Sequence, residues 1–342
     1  MDDFAKLPSE ERQTYFEQAA AQRGLTAQVI EKDFWVCWSL RRLFSLSEFR
    51  DHLTFKGGTS LSKVYQAIER FSEDVDVAIE RSFLGFGGDN EPETGGSGQQ
   101  QPRRIAALKE ACQVAVADRM MPQLKEAVAG ALGNDSTWTL SLDPADPDRQ
   151  SLLFRYPPAI SSGLSPYFAA SVKFEFGARS DHFPIEKGSI TPYIADELAD
   201  AISDKETQVR VLSAARTFWE KATILHMLYH QPAGKRVAPR MSRHYYDLFG
   251  LAQSDVLDQA LATLDLLDRV ADFKQVYFKA GWAKYDEARP GTLRLMPNEQ
   301  LSNLLAGDYE DMQPMFFSDP PPFQQILDLL PTLENRINEH GQ

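Results

Sequence analysis

Hydrophobic and polar positions along the chain switch between two periods. Apolar residues recur at helical spacing over 4–22 and 26–46, which predicts two helices, the second capped by Thr26. Ile30, Phe34, Cys37, Trp38 and Arg41 fall on one side of that second helix, so its many aromatics read first as packing. The period then drops to two. Phe55-Lys56 lies in a short strand, and a helix follows Gly57-Gly58-Thr59-Ser60. In the next strand Val75, Val77 and Ile79 point one way and Asp74, Asp76 and Ala78 the other. Residues 104–132 read as a long helix bent at Pro122. Residues 136–142, 151–156 and 170–176 alternate like strands; in the last, Val172, Phe174 and Phe176 oppose Lys173 and Glu175. Ile190 to Asp196 reads as a link and Val209 to Leu212 as a further strand, closing a first domain near residue 213.

Beyond it, residues 214–230 form an amphipathic helix. At 100° per residue Phe218, Ala222, Leu225, Leu228 and Tyr229 make one stripe, and Lys221 falls inside it. Residues 254–342 read as mainly helical: one helix carrying Leu257, Leu261, Leu264 and Val270, and a terminal one over 323–339 behind the hinge Pro320-Pro321-Pro322. The expected fold is therefore α/β (α+β): a small mixed sheet within 1–213, then a helical domain over 214–342. Residues 85–104 are rich in Gly, Gln and Pro, and predict a mobile loop that either overhangs the acidic strand or is a tolerated insertion.

Composition narrows the function classes. With 342 residues and 43% hydrophobic content the chain can bury sizeable cores. A net charge of −13 argues against a non-specific nucleic-acid binder but leaves room for a local basic groove. The only two cysteines, Cys37 and Cys112, have neither metal spacing nor a disulfide pattern. No signal peptide or long apolar run stands out, so the expectation is a cytoplasmic protein that makes no membrane contact.

The candidate chemistry sits at the change of period. Asp74 and Asp76 lie on one face of a strand whose other face is apolar. Two close carboxylates repel, and a divalent cation between them is the simple explanation, since paired Mg²⁺ ions are a common device for displacement at phosphorus. A solvated strand face is the alternative. Gly57-Gly58 permits a tight turn and close backbone approach, and Thr59 and Ser60 open a helix whose free N–H groups favour phosphate. Ser60 also reads as a plain N-cap. Lys221, on an apolar stripe, needs a partner or an anionic ligand, or else snorkels out beside the core. His226 and His230 are four apart with no third ligand in sight, and read as structural.

Gly-Gly-Thr-Ser, a helix, and then Ser-Glu-Asp-Val-Asp-Val resembles the signature of DNA polymerase β-like nucleotidyltransferases. Phe-Lys-Gly-Gly-Thr-Ser-Leu-Ser-Lys with Arg-Phe-Ser-Glu-Asp-Val-Asp is closer still to the AbiEii/MenT-type toxins of toxin–antitoxin and phage-defence systems. The Ile-Glu-Lys-Asp stretch at 30–33, the Glu-Lys at 220–221 and Arg-His-Tyr-Tyr-Asp-Leu at 243–248 fit the same family. The resemblance implies that Asp74, Asp76 and Glu175 bind two Mg²⁺ ions, with Glu175 supplied by a neighbouring antiparallel strand. It implies that Gly57, Gly58, Thr59 and Ser60 hold phosphate, that Lys221 grips the triphosphate of an NTP, and that Asp247 orients Lys221 or contacts the nucleotide. It allows Lys32 to face the cleft. The acceptor it implies is the 3′ end of tRNA, and the partner a cognate antitoxin protein. The basic loop 234–243, with Lys235, Arg236, Arg240 and Arg243, is a candidate RNA contact, ordinary loop charge being the other reading. Tyr277, Trp282, Tyr285 and Tyr309 read as core before base-stacking surfaces. The rival functions are nucleotidyl transfer to a protein or small molecule, and non-catalytic binding on this fold.

Overall fold

The computed structural model describes every residue except 73, 96–97, 135–136, 161–168, 199–201, 203 and 341–342. The strand expected over 136–142 begins on one of these, and the loop expected over 85–104 includes two. The chain divides into two compact units, one formed by Met1–Val64 and Phe71–Val211, the other by Tyr65–Arg70 and Leu212–Gln342.

The first unit is built on a mixed sheet. Its strands are β1 (Leu53–Lys56), β2 (Asp74–Ile79), β3 (Thr139–Leu142), β4 (Ser151–Arg155), β5 (Ser171–Gly177), β6 (Ile185–Ile190) and β7 (Thr207–Leu212). They lie in the order β3-β4-β5-β2-β1-β7-β6. β1 and β2 are antiparallel, whereas β2 and β5 are parallel. The meander β3-β4-β5 follows a long helical crossover, so its third strand returns in the direction of β2. β5 is thus the expected neighbour of β2 but not an antiparallel one. The helix Ala27–Ser45 is capped by Thr26, whose hydroxyl accepts from Val29 N, and it is buried on nearly every side. Trp35 stacks on Tyr156 with centroids 5.2 Å apart, and Trp38 stacks on Phe154 at 5.8 Å. Such pairs add about 0.5–1.5 kcal/mol beyond their buried area.

Several predicted boundaries shift. The helix expected from 104 starts at Gln100 and passes through a π-helical turn, Ala115–Met120, before continuing as Met121–Leu132. Pro122 can neither donate to nor pack beneath the carbonyl four residues back, and widening the preceding turn relieves that clash. Before it, the segment expected to be a mobile loop forms single 3₁₀ turns at Gly88–Asn90 and Pro92–Thr94, and another precedes it at Ser82–Leu84. Arg104 secures the Pro92–Thr94 turn by donating to Glu91 O at 2.8 Å and Thr94 Oγ1 at 2.9 Å.

The second unit is helical, with Ala214–Tyr229, Ser242–Ala252, Val256–Leu261, Asp265–Tyr277, Glu299–Glu310 and Phe323–Glu339 as its longer elements. Phe218, Ala222, Leu225 and Leu228 are buried as the stripe requires, while Tyr229, in the last turn, is exposed. The single helix expected over 257–270 is interrupted at 262–264, where the Thr263 hydroxyl bonds back to Gln259 O at 2.9 Å. The segment Tyr65–Arg70 is stitched into this unit: the Tyr65 hydroxyl donates to Leu212 O at 2.9 Å, and Phe317 N donates to Glu69 O at 3.1 Å. Tyr277, Tyr285 and Tyr309 are core residues.

Candidate active site

In the first unit the apolar side of β2 buries Val75, Val77 and Ile79, leaving Asp74 and Asp76 together on the other side. β5 repeats the pattern with Lys173 and Glu175. The register pairs Asp74 with Lys173 and Asp76 with Glu175, and adjacent strands lie about 4.8 Å apart. The three carboxylates named from the sequence therefore share one face of two neighbouring strands. Lys56 continues the row on β1 as the partner of Asp76. Among the described residues, no hydrogen bond or ion pair engages the Asp76 carboxylate.

Gly57 explains how Asp76 is held. Its backbone has φ of 78°, and a Cβ there would lie 2.0 Å from Asp76 Oδ2. Only glycine allows both this conformation and the close approach of the carboxylate. The helix it begins, Gly57–Lys63, starts earlier than the sequence suggests, with Lys56 in the cap position, so Ser60 is not its cap. Thr59 and Ser60 are buried and already committed as donors. Thr59 Oγ1 donates to Asp74 O at 2.7 Å, tying the helix to β2, and Ser60 Oγ donates to Gly57 O at 2.8 Å.

Lys173 had no role in the sequence reading. Its Nζ lies 2.7 Å from Glu175 Oε1 and 3.4 Å from Asp143 Oδ2. Burial disfavours the charged amine, but Glu175, Asp74 and Asp143 outweigh it and push its pKa up. Three buried charges on the helix Ala27–Ser45 support this unit. Glu31 accepts from Ala159 N and Ile160 N, and Asp33 accepts from Tyr193 N at 2.6 Å and pairs with Lys63 at 2.7 Å. Lys32 is buried, with its Nζ 5.6 Å from the centre of the Phe71 ring.

Asp74, Asp76 and Glu175 are hard oxygen donors, the type that suits Mg²⁺. Among the described residues no three His, Cys, Asp or Glu side chains close into a metal cage. Mg²⁺ commonly binds through one or two carboxylates plus substrate phosphates, so the donor set fits it without a preformed cage.

The second unit holds Lys221 and Asp247 together. Lys221 Nζ is 2.9 Å from Asp247 Oδ2. Arg70 completes the cluster as a fork, Nε on Oδ1 at 2.7 Å and Nη2 on Oδ2 at 2.9 Å. Burial opposes the Asp247 charge, but the two cations outweigh it and hold the carboxyl well below its usual range. His244 Nδ1 lies 3.4 Å from Lys221 Nζ, and burial followed by the charge of Lys221 keeps the ring neutral. Nothing in the sequence marks Arg70 for this contact, because its carboxylate lies 177 positions away.

The helix of Lys221 carries further buried charge. Arg216 reaches Glu220 at 3.4 Å, and Lys274 donates to Glu220 O at 2.9 Å. Desolvation lowers the Lys274 pKa to about 7. Elsewhere, His226 bridges Lys284 O and Arg294 N, each at 3.0 Å, which is structural work.

The basic loop also belongs to this unit. Lys235 and Arg236 are exposed, and Lys235 stacks on Trp282 at 3.7 Å. Asp308 fixes the end of the loop by accepting from Arg240 N, Ser242 N and the Ser242 hydroxyl. Arg243 is half-buried in the first turn of the helix Ser242–Ala252. A cavity of about 510 Å³ opens between the loop and the helix Glu299–Glu310.

Comparison with known proteins adds the decisive observation. The family model described as nucleotidyl transferase AbiEii toxin of type IV toxin–antitoxin systems matches residues 38–329. The chain belongs to the AbiEii nucleotidyltransferase toxin family. As an AbiEii protein it is a nucleotidyltransferase, and the family implies an NTP as substrate and an antitoxin as partner. No curated protein matches. Among solved structures, the nucleotidyltransferase toxin MenT4 from Mycobacterium tuberculosis matches at 13% identity, covering 86% of this chain and 97% of its own, with a TM-score of 0.35. No helix among the described residues is long and apolar enough to cross a membrane.

Proposed function

We propose that this AbiEii protein transfers a nucleoside monophosphate from an NTP to the 3′ end of tRNA in the cytoplasm, where an antitoxin opposes it. The reading rests chiefly on Asp76 of β2 lying in register with Glu175 of β5, with Asp74 on the same face. Asp74, Asp76 and Glu175 would hold two Mg²⁺ ions, which when bound neutralise phosphate charge and favour ionisation of the acceptor hydroxyl. Gly57 keeps Asp76 pressed against the turn. The hydroxyls of Thr59 and Ser60 donate internally, so the backbone N–H groups of this first helical turn, from Gly57 to Thr59, are what remains for a phosphate. Lys221, charged and braced by Asp247, would bind the triphosphate, and pyrophosphate would leave as the acceptor oxygen attacks the α-phosphate. Catalysis of this kind is mainly positioning and charge neutralisation.

The test is incubation with each labelled NTP and total tRNA. Label on tRNA that disappears with Asp74→Ala and with EDTA supports the proposal. Label on protein, or none on tRNA with any NTP, overturns the RNA acceptor.

A further inference from the structure

Lys173 stands among the carboxylates without a part in the chemistry above. It precedes Glu175 by two positions on β5, so both side chains leave the same face of the strand. Its ammonium touches two carboxylates of unlike character. Glu175 is 40% exposed on the strand face. Asp143 is only 10% exposed and held in place by its turn, its Oδ1 accepting from Ala145 N at 2.9 Å. The lysine thus has a buried, turn-anchored partner at 3.4 Å and a more exposed one at 2.7 Å. A lysine stem has four rotatable methylenes, so exchange between them needs no backbone movement.

We propose that Lys173 is an internal counterion, resting on Glu175 until a divalent cation loads and then retreating to Asp143. This rests on the assignment of Asp74, Asp76 and Glu175 as metal carboxylates. An ammonium bound to Glu175 competes for a ligand oxygen and repels an incoming cation, while Asp143 supplies the negative charge that keeps it solvated after it leaves. The proton stays on the amine throughout and only its partner changes. Lys173 thereby weakens metal binding to the empty site and couples metal entry to the arrival of triphosphate, whose oxygens replace what the lysine withholds. Asp143 is a positioning residue in this scheme.

Titration of the full chain with Mn²⁺ in the absence of nucleotide, followed by calorimetry or by loss of the free-ion EPR signal, tests this. Lys173→Met should bind Mn²⁺ about tenfold more tightly than wild type, because a neighbouring like charge is gone. Lys173→Arg should remain near wild type, and Asp143→Asn should bind more weakly, the lysine having lost its retreat. Asp76→Asn reports on the metal assignment itself. If it leaves Mn²⁺ binding intact, the carboxylate site fails and the inference falls with it. If Asp76→Asn abolishes binding while Lys173→Met binds no more tightly than wild type, the metal site stands and the counterion role is overturned. Melting of each variant in EDTA shows that the affinities compare folded proteins.

Discussion

A methyl group at position 57 would meet Asp76 Oδ2 at 2.0 Å, on a backbone with φ of 78°. Gly57→Ala should therefore cost about 1–3 kcal/mol of strain and displace the carboxylate. The expected outcome is a modest fall in melting temperature with a disproportionate loss of nucleotidyl transfer, read by thermal melt and labelled-NTP assay. Asp247 behaves differently, because it neutralises two cations in a buried place. Asp247→Asn leaves Arg70 and Lys221 without their counterion and should cost about 3–5 kcal/mol. Its folded pKa lies below the unfolded value, so its stabilisation is complete above about pH 4 and is lost as pH falls further. Melting temperature followed from pH 7 to pH 2 should show that acid limb in wild type and a flatter one in Asp247→Asn. The pairing of Asp74 with Asp76 on one face was legible because period two is local. Arg70 was not, since its carboxylate lies 177 positions away. Lys173 was hidden likewise, as its meaning depends on which strand lies beside β5.

Helices and strands were legible where burial was one-sided. β2 and β5 alternate cleanly because one face is core. β6 carries no signal in the sequence: it is an edge strand whose first three residues are exposed, and an exposed edge writes no apolar period. The stretch from Ile190 to Asp196, expected to be a link, begins at the end of that strand and turns into the short helix Tyr193–Glu197. The helix Ala27–Ser45 posed the opposite difficulty, being buried on nearly all sides, so no polar face marks Glu31, Lys32 and Asp33 as internal charges. The helix Asp265–Tyr277 offers a test at this scale. Lys274 has a folded pKa of about 7, lowered from 10.5 by burial. Between those values the unfolded chain binds more protons, so stability rises with pH. Lys274→Met should be more stable than wild type at pH 7, by about 1–3 kcal/mol, and should flatten that rise. Melting curves from pH 7 to pH 10.5 measure both.

Across the whole molecule the charge is −13, so an RNA acceptor would be met by local rather than global attraction. On the proposed function, replacing Lys235, Arg236 and Arg240 together by alanine should raise KM for tRNA, leave KM for NTP unchanged, and reduce the salt dependence of tRNA binding by a slope of about 2. Initial rates at several salt concentrations would measure it. The hydrophobic period changes near residue 213, where the strand-like stretches of the sequence give way to helical ones. What no period announces is that Tyr65–Arg70 packs with residues that follow Leu212.

That excursion governs the order in which the protein can be made. A ribosome adds about 5–20 residues per second, so the guanidinium of Arg70 is translated well before its carboxylate. A chain stopped at residue 212 would hold strands β1 to β7 and the guanidinium of Arg70 but no Asp247, and expressing the two halves from separate messages would leave Tyr65–Arg70 on the first of them, joined to the rest of its unit by non-covalent contacts alone. The cluster around Asp247 can close only once translation is well past its middle, so a message terminated before that residue would yield no assembled group of Arg70, Lys221 and Asp247.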